Sequence, residues 1–321
     1  MVSYGEFHQM PAQMEKAKQM GLRKYLGVPR GISVYLDNGA FYFLRSGAAA
    51  ERRKYTEFVK KAKPDWYPIA FDVIPTPKMS SAQQRQCFDS TMHANHAYNR
   101  DGYVPVIHIG GLLDDYIRAI LRSPKLLAKN RIALGAIVPN LLRAPKAVSY
   151  ETILKSLSHV RATFRSKGLH VFGIGGTATI HLAALLGVDS VDSSGWRNRA
   201  ARGIVQLPGS GDRMIANLGK WRGRAPTEQE WAKLARCRCP ACTMNGTRGL
   251  KAEGLKGFSN RATHNLWVLL EEARWMAKHL RAETYENNFR RRLDNSTYLP
   301  LIKRLLEMNG RDNLSGRPGP D

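Results

Sequence analysis

From Ile32 to Asp192 the chain alternates short apolar runs, polar loops and amphipathic stretches. The apolar runs are ISVYL (32–36), WYPIAF (66–71), YVPVIHI (103–109), RIALGAIV (131–138), HVFGIG (170–175) and DSVDS (189–193). They are rich in β-branched and aromatic residues and nearly continuous, as strands buried on both faces require. Between them AAAERRKYTEFVKKA (48–62), SAQQRQCFDSTMHANHAYNR (81–100) and YETILKSLSHVRATFRSK (150–167) read as helices. A repeat of roughly thirty residues suits βαβ crossovers. The pattern predicts a parallel α/β fold and is compatible with either a closed barrel or an open doubly wound sheet. A complete (β/α)8 barrel needs further strands from residues 1–31 and roughly 200–220. After about residue 222 the texture becomes polar and cysteine-bearing, and two long helical patterns follow, at 262–283 and 285–308. The expected division is therefore 1–222 for the main part of the barrel, 223–310 for a metal-binding subdomain with closing helices, and 311–321 for a Gly/Pro-rich disordered tail.

Charge changes the picture. Fifty Lys+Arg face 26 Asp+Glu, giving a formal net charge of +24. Such an excess points to a polyanionic partner, because each neutralised phosphate releases counterions; a merely soluble basic protein is the alternative. The sequence contains no apolar run long enough to span a bilayer, and its first residues lack a secretory pattern. Four cysteines, three of them crowded together, fit a reducing cytoplasm and a metal better than a disulfide framework.

The crowded cysteines are Cys237, Cys239 and Cys242, with His264 further on in THNLWVLLEEARWMAKHL. Three thiolates and an imidazole form a closed tetrahedral set for structural zinc, the alternative being buried or redox-active thiols. Next come three aspartates at the C-terminal ends of apolar runs, Asp37, Asp72 and Asp192. Each could be an N-cap or loop residue, but three in one topological position suggest a shared acidic site at a barrel mouth. Gly135 and the Gly173-Ile174-Gly175-Gly176 run also end strands and read as backbone cleared for a flat ligand. His108 is either a core residue or a pocket donor. His93, His96 and His170 read as surface or core groups, and Cys87 as a small packed residue.

These residues resemble the queuine/archaeosine tRNA-guanine transglycosylase superfamily, and within it the DNA-acting DpdA-type branch. The similarity runs from about Ile32 to His264. It implies a TIM (β/α)8-type barrel with a C-terminal zinc-binding subdomain and terminal helices. YLDNGAF resembles the family's DSGGFQ-type loop, implying Asp37 as acid/base, Asn38 beside the base and Phe41 as a stacking face. FDVIPTP is similar to the second acidic loop, implying that Asp72 reads the guanine edge. VIHIGG stands where the family carries a glutamine; none is present, which leaves His108 or backbone groups to read the base. LGAIV places Gly135, Ala136 and Ile137 against the ring, and VFGIGG places Phe172 and Gly173 opposite Phe41. GVDSVDS resembles the segment bearing the nucleophile, implying Asp192. The family's tRNA enzymes continue with proline-threonine-arginine, whereas this chain has SSGWRNRAARG, and this departure favours DNA. Arg197, Arg199 and Arg202 in that stretch either hold flanking phosphates or form a solvated basic loop.

The implied reaction is a cofactor-free double displacement in which guanine leaves and a 7-deazaguanine enters. Zinc is structural, and the partners are DNA (alternatively tRNA) and the base, with room for a homodimer or an accessory protein. The implied compartment is the cytoplasm of a bacterium or of a virus-infected host cell. Competing readings are the same exchange on tRNA, a non-catalytic zinc-stabilised nucleic-acid-binding subunit, and a metal-dependent barrel hydrolase.

Overall fold

The computed structural model describes residues 1–47, 51–68, 72–97, 102–137, 149–219 and 222–315. The chain divides into two compact units, Met1–Phe172 and Gly173–Asp321. The expected boundary at 222–223 lies inside the second.

In the first unit the strands are β1 (Val2–Ser3), β2 (Leu36–Asp37), β3 (Tyr67–Pro68), β4 (Tyr103–Val104), β5 (Val106–His108), β6 (Arg131–Gly135) and β7 (Gly168–Val171). All pairings are parallel: Val2 with Leu36, Tyr67 with Tyr103, Val106 with Ala133, and Arg131 with Gly168. A bridge between Tyr35 and Trp66 links β2 to β3. The strands therefore lie side by side in chain order. An open doubly wound sheet reverses its order at a switch point, and no reversal occurs among the described residues of this unit. Residues 1–31 supply the outer strand expected of them, as β1. The expected runs 66–71 and 131–138, and the helices 48–62 and 81–100, extend partly into 69–71, 138, 48–50 and 98–100, which lie outside the described residues.

One strand is interrupted. Pro105 separates β4 from β5 by removing a backbone donor. The side chain of Asn95, on helix Ser81–Ala97, repairs the gap: its Nδ2 donates to the Val106 carbonyl at 2.9 Å and its Oδ1 accepts the Val106 N–H at 3.2 Å. Val106, Ile107 and Leu134 are fully buried, as both-face burial predicts. At the amino-terminal edge Tyr4, Tyr55 and Phe58 pack ring to ring.

The second unit carries β8 (Ser190–Val191) and the hairpin β9 (Ile204–Leu207)/β10 (Gly211–Met214). The run near 200–220, expected to add a barrel strand, is instead this antiparallel pair, with Gly211 opposite Leu207. Its connection contains Gly209 at φ 64° and opens onto Gly211 at φ 86°, turns that glycine makes without strain. Helices Glu228–Ala235, Pro240–Lys251 and Gly254–Arg281 follow. The pattern expected to form one helix over 285–308 is two, Tyr285–Arg292 and Leu299–Ser315. Asn295 between them adopts φ 62°, and Pro300 supplies a helix-starting residue. The second of these helices runs into the tail expected to lack order; residues 316–321 lie outside the description. Among the described residues no helix is long and apolar enough to cross a membrane.

Candidate functional site

The first unit gathers several of the sequence-selected residues at the C-terminal ends of neighbouring parallel strands, where barrel-type sites form. Asp37 ends β2, and its Oδ2 accepts from Ser3 Oγ at 2.8 Å and from the Gly39 N–H at 3.1 Å. Ser3 lies opposite Asp37 in the β1–β2 register, so the neighbouring strand orients this carboxylate. Asn38 is buried at 1 % exposure; its Oδ1 takes the Ala40 N–H and its Nδ2 donates to Asp72 Oδ1 at 2.7 Å. His108, at the end of β5 and equally buried, approaches Asp72 Oδ2 with Nε2 at 2.7 Å. Asp72 is thus gripped from both sides, while its side chain keeps 9 % exposure.

Burial raises the cost of charge on Asp72, but the hydrogen bond and charge interaction from His108 and the hydrogen bond from Asn38 outweigh it, so its pKa is lowered. The group is an ionised acceptor at neutral pH, suited to a ligand that offers donors. His108 therefore belongs to the polar cluster rather than to an apolar core.

Gly135, at the end of β6, faces the His108 ring. A Cβ there would come within 2.9 Å of His108 Cδ2, so glycine lets the imidazole lie flat on the strand. Ala136 next to it holds φ 61°, a conformation that costs a non-glycine residue energy and that collects at functional sites. Ile137 is buried at 1 % exposure. Phe172 packs edge-on against His170, 4.8 Å between ring centres, while Phe41 is 41 % exposed on helix Ala40–Ser46. His170 is a core group stacked on Tyr35, His93 and His96 lie exposed on their helix, and Cys87 is buried. The sequence did not disclose Ser3, nor Tyr116, which joins His108 from helix Leu113–Leu121. Lone hydroxyls on amphipathic segments carry no spacing signal.

In the second unit Asp192 follows β8, and its Oδ1 accepts the N–H of Gly173 at 2.9 Å. Gly173 holds φ 79°. At Gly175 a Cβ would lie 2.0 Å from Ser193 Cβ and 3.0 Å from the Asp192 carbonyl. The glycine at 175 thus makes room for the chain's own Asp192–Ser193 segment rather than for a flat ligand. Arg197 and Arg202 are exposed. Arg199 Nε lies 2.7 Å from both oxygens of Asp212, so this guanidinium already holds a carboxylate.

The same unit assembles Cys237, Cys239, Cys242 and His264, whose ligand atoms all lie within 4.8 Å of one another. The sulfurs stand 3.6, 3.6 and 3.4 Å from His264 Nδ1. Tetrahedral bonds of about 2.3 Å to sulfur and about 2.0 Å to nitrogen separate such atoms by roughly 3.5 Å. The four can hold a metal ion. Cys239 caps helix Pro240–Lys251, its Sγ accepting the Cys242 N–H at 3.3 Å, which folds the short CxCxxC loop inward. Hydrogen bonds from Cys239 and Cys242, then His264, hold the Cys237 thiol well below its ordinary range, while those from Cys237 and Cys239 push the Cys242 thiol above it, so Cys237 is the first of the pair to ionise. His264 Nε2 lies 3.0 Å from the Gln206 carbonyl, fixing Nδ1 as the ligand nitrogen. Asn265 Oδ1 takes the N–H of the same Gln206 at 2.7 Å. Adjacent residues of one helix thereby hold both backbone polar groups of one β9 residue. Val205, Leu207, Leu234 and Leu250 form the apolar bed beneath the sulfurs.

The family described as queuine tRNA-ribosyltransferase matches residues 6–297, most of the chain, and the protein belongs to it. Its members are guanine transglycosylases, pentosyltransferases that act on nucleic acid. No curated relative matches the chain.

Proposed function

We propose that the protein exchanges guanine in DNA for a 7-deazaguanine, such as the 7-cyano base, through a covalent aspartyl-glycosyl intermediate. The observation that carries the base-recognition part is Asp72: a strand-end carboxylate kept ionised by His108 and Asn38, with 9 % of its side chain still exposed. Guanine and its 7-deaza analogues offer the N1–H and exocyclic amine that such a carboxylate accepts, and adenine does not. Phe41 and Phe172 act as stacking faces, and Ala136, Gly135, Ile137 and Gly173 as backbone beside the ring. Asp192 attacks C1′ as C1′–N9 breaks, and Asp37 gives the departing guanine its proton. The entering base returns its N9 proton to Asp37 while N9 displaces the Asp192 carboxylate from C1′. No redox partner is needed.

The metal in this reading is structural zinc. Three thiolates and one imidazole leave a tetrahedral ion no open position, so its contribution is to fold the residues that hold it. The consecutive parallel strands of the first unit support a closed (β/α)8 barrel. The charge of +24 and the exposed Arg197 and Arg202 support a nucleic-acid backbone as partner in the cytoplasm. A reacting base has to leave its stack, so duplex DNA is flipped or locally melted.

A second reading has a specific observation behind it, since the matching family's description names a tRNA activity. DNA is preferred because SSGWRNRAARG replaces the proline-threonine-arginine continuation after Asp192. Nucleoside mass spectrometry of DNA and of tRNA, from cells expressing the chain and supplied with a 7-deazaguanine, separates the two. Modified nucleoside confined to tRNA overturns the DNA assignment.

A further inference from the structure

The second unit also holds a polar cavity of about 220 Å³, bounded by the loop that follows Gly175, the hairpin β9/β10 and residues 296–298. At its floor Gln206, on β9, is fully buried, and neither the oxygen nor the nitrogen of its carboxamide has a hydrogen-bond partner among the described residues. Thr177 lines the same cavity at 1 % exposure, and its hydroxyl is unpartnered as well. The backbone fixes where the glutamine stands, since its N–H donates to Asn265 and its carbonyl faces His264. Gly176 keeps the corner open. A Cβ on it would lie 3.3 Å from Thr179 Oγ1, 3.6 Å from Arg199 Nη2 and 3.8 Å from Gln206 Nε2, so three polar groups surround one point that a side chain would fill.

The lining selects a neutral, polar ligand. Arg213 is already matched by Glu230, through Nε at 2.8 Å and Nη2 at 2.6 Å, and Arg199 Nε by Asp212 at 2.7 Å. A phosphate would therefore find no free cation at the floor. A carboxamide with both atoms unmatched offers a donor beside an acceptor, whichever way round it lies. That pattern complements the edge of a nucleobase, and glutamine pairs in this manner with adenine N6 and N7. The volume is below the roughly 300–1,000 Å³ of pockets that enclose drug-sized ligands, and it suits a single ring system. Buried polar atoms left unmatched cost free energy that a complementary edge recovers and a mismatched one does not.

The cavity also adjoins the segment that bears Asp192. Gly175 lies against Ser193, and Arg199 spans from Gly195 to Gly176. Arg224, exposed at the rim and hydrogen-bonded to the neutral Asn295, keeps its charge for a backbone phosphate.

We propose that this cavity receives the nucleobase next to the exchanged guanine, with adenine the favoured neighbour, and that Gln206 and Thr177 read its edge. The assignment rests on the exchange reading above and adds a sequence context to it.

The test is equilibrium binding of the full-length metal-loaded protein to short single-stranded DNA and RNA oligonucleotides that carry one guanine. Adenine, cytosine and thymine or uracil are placed in turn on either side of it, and guanine exchange is followed on the same strands. Adenine on one side binds about tenfold tighter than the other bases. Gln206→Leu erases this preference and Thr177→Val narrows it. Gln206→Glu, which can only accept, moves it toward cytosine, whose N4 amine donates. A merely structural role would weaken every oligonucleotide alike and leave the ratios unchanged. Metal content is measured for each variant, and should Gln206→Leu lose its metal, Thr177→Val decides. Equal binding of all neighbours by the wild type, or a preference that Gln206→Leu retains, overturns the assignment and leaves the cavity to structural water. Exchange that persists on those strands then keeps the exchange reading standing. A preference that depends on Gln206, without exchange, supports the cavity's role and removes the exchange reading instead. Binding to none of the oligonucleotides overturns both.

Discussion

The Asp72 cluster and the Cys237–His264 cluster are both buried and polar, yet they are built on opposite principles. At the cysteines every ligand atom turns inward and the outward nitrogen of His264 is spent on the Gln206 carbonyl. Nothing is left over for a substrate. At Asp72 the donors come from behind and from one side, and part of the carboxylate surface stays accessible. A closed set stabilises a fold, whereas an open set with fixed polarity recognises a ligand. The contrast is as informative about function as the residue types are.

The sharpest way to break the comparison is to remove the proposed nucleophile, which belongs to neither cluster. Asp192→Ala should lower exchange by on the order of 10⁴-fold or more and abolish the trapped covalent adduct, with metal content unchanged. A surviving adduct would strip Asp192 of that role.

Next in size is the closed cluster. His264→Ala or exhaustive chelation should release the bound metal and cost several kcal/mol of stability, because metal affinity here is folding free energy. Hydrogen exchange should show protection lost around β9, β10 and helix Gly254–Arg281, with the strands of the first unit still protected. Uniform loss throughout the chain would contradict the separation drawn above.

The open cluster should show its character in pH dependence. A carboxyl whose folded pKa is lowered contributes stability that is fully present above its unfolded value, about 3.9, and is lost as pH falls through the lower folded value. The downward shift of Asp72 therefore predicts guanine binding that stays level from neutral pH down to about pH 5 and weakens only in stronger acid. Titration of guanine affinity against pH checks this, and a midpoint near neutrality would mean that Asp72 is not held ionised.

The smallest effects belong to the basic loop. Arg197→Ala and Arg202→Ala should each reduce the salt dependence of nucleic-acid binding by about one unit of slope. A slope unchanged in both variants would remove the loop from contact with phosphates.

What the sequence determined by itself was whatever is encoded locally. The CxCxxC loop announced a metal set because its ligands lie within a few residues and one helix, and the apolar runs announced parallel strands because burial on both faces leaves no alternation to hide. The aspartates at 37, 72 and 192 were visible as carboxylates ending apolar runs, though their partners were not. Only the tertiary structure decided that β9 and β10 pair as a hairpin, that the last helical pattern breaks at Asn295, and that Gly175 clears space for Ser193. It alone joined Asn38, Asp72, His108 and Tyr116 into one cluster. Those residues are brought together by strand register and helix packing, and a hydrogen bond between side chains far apart in the chain leaves no periodicity along it.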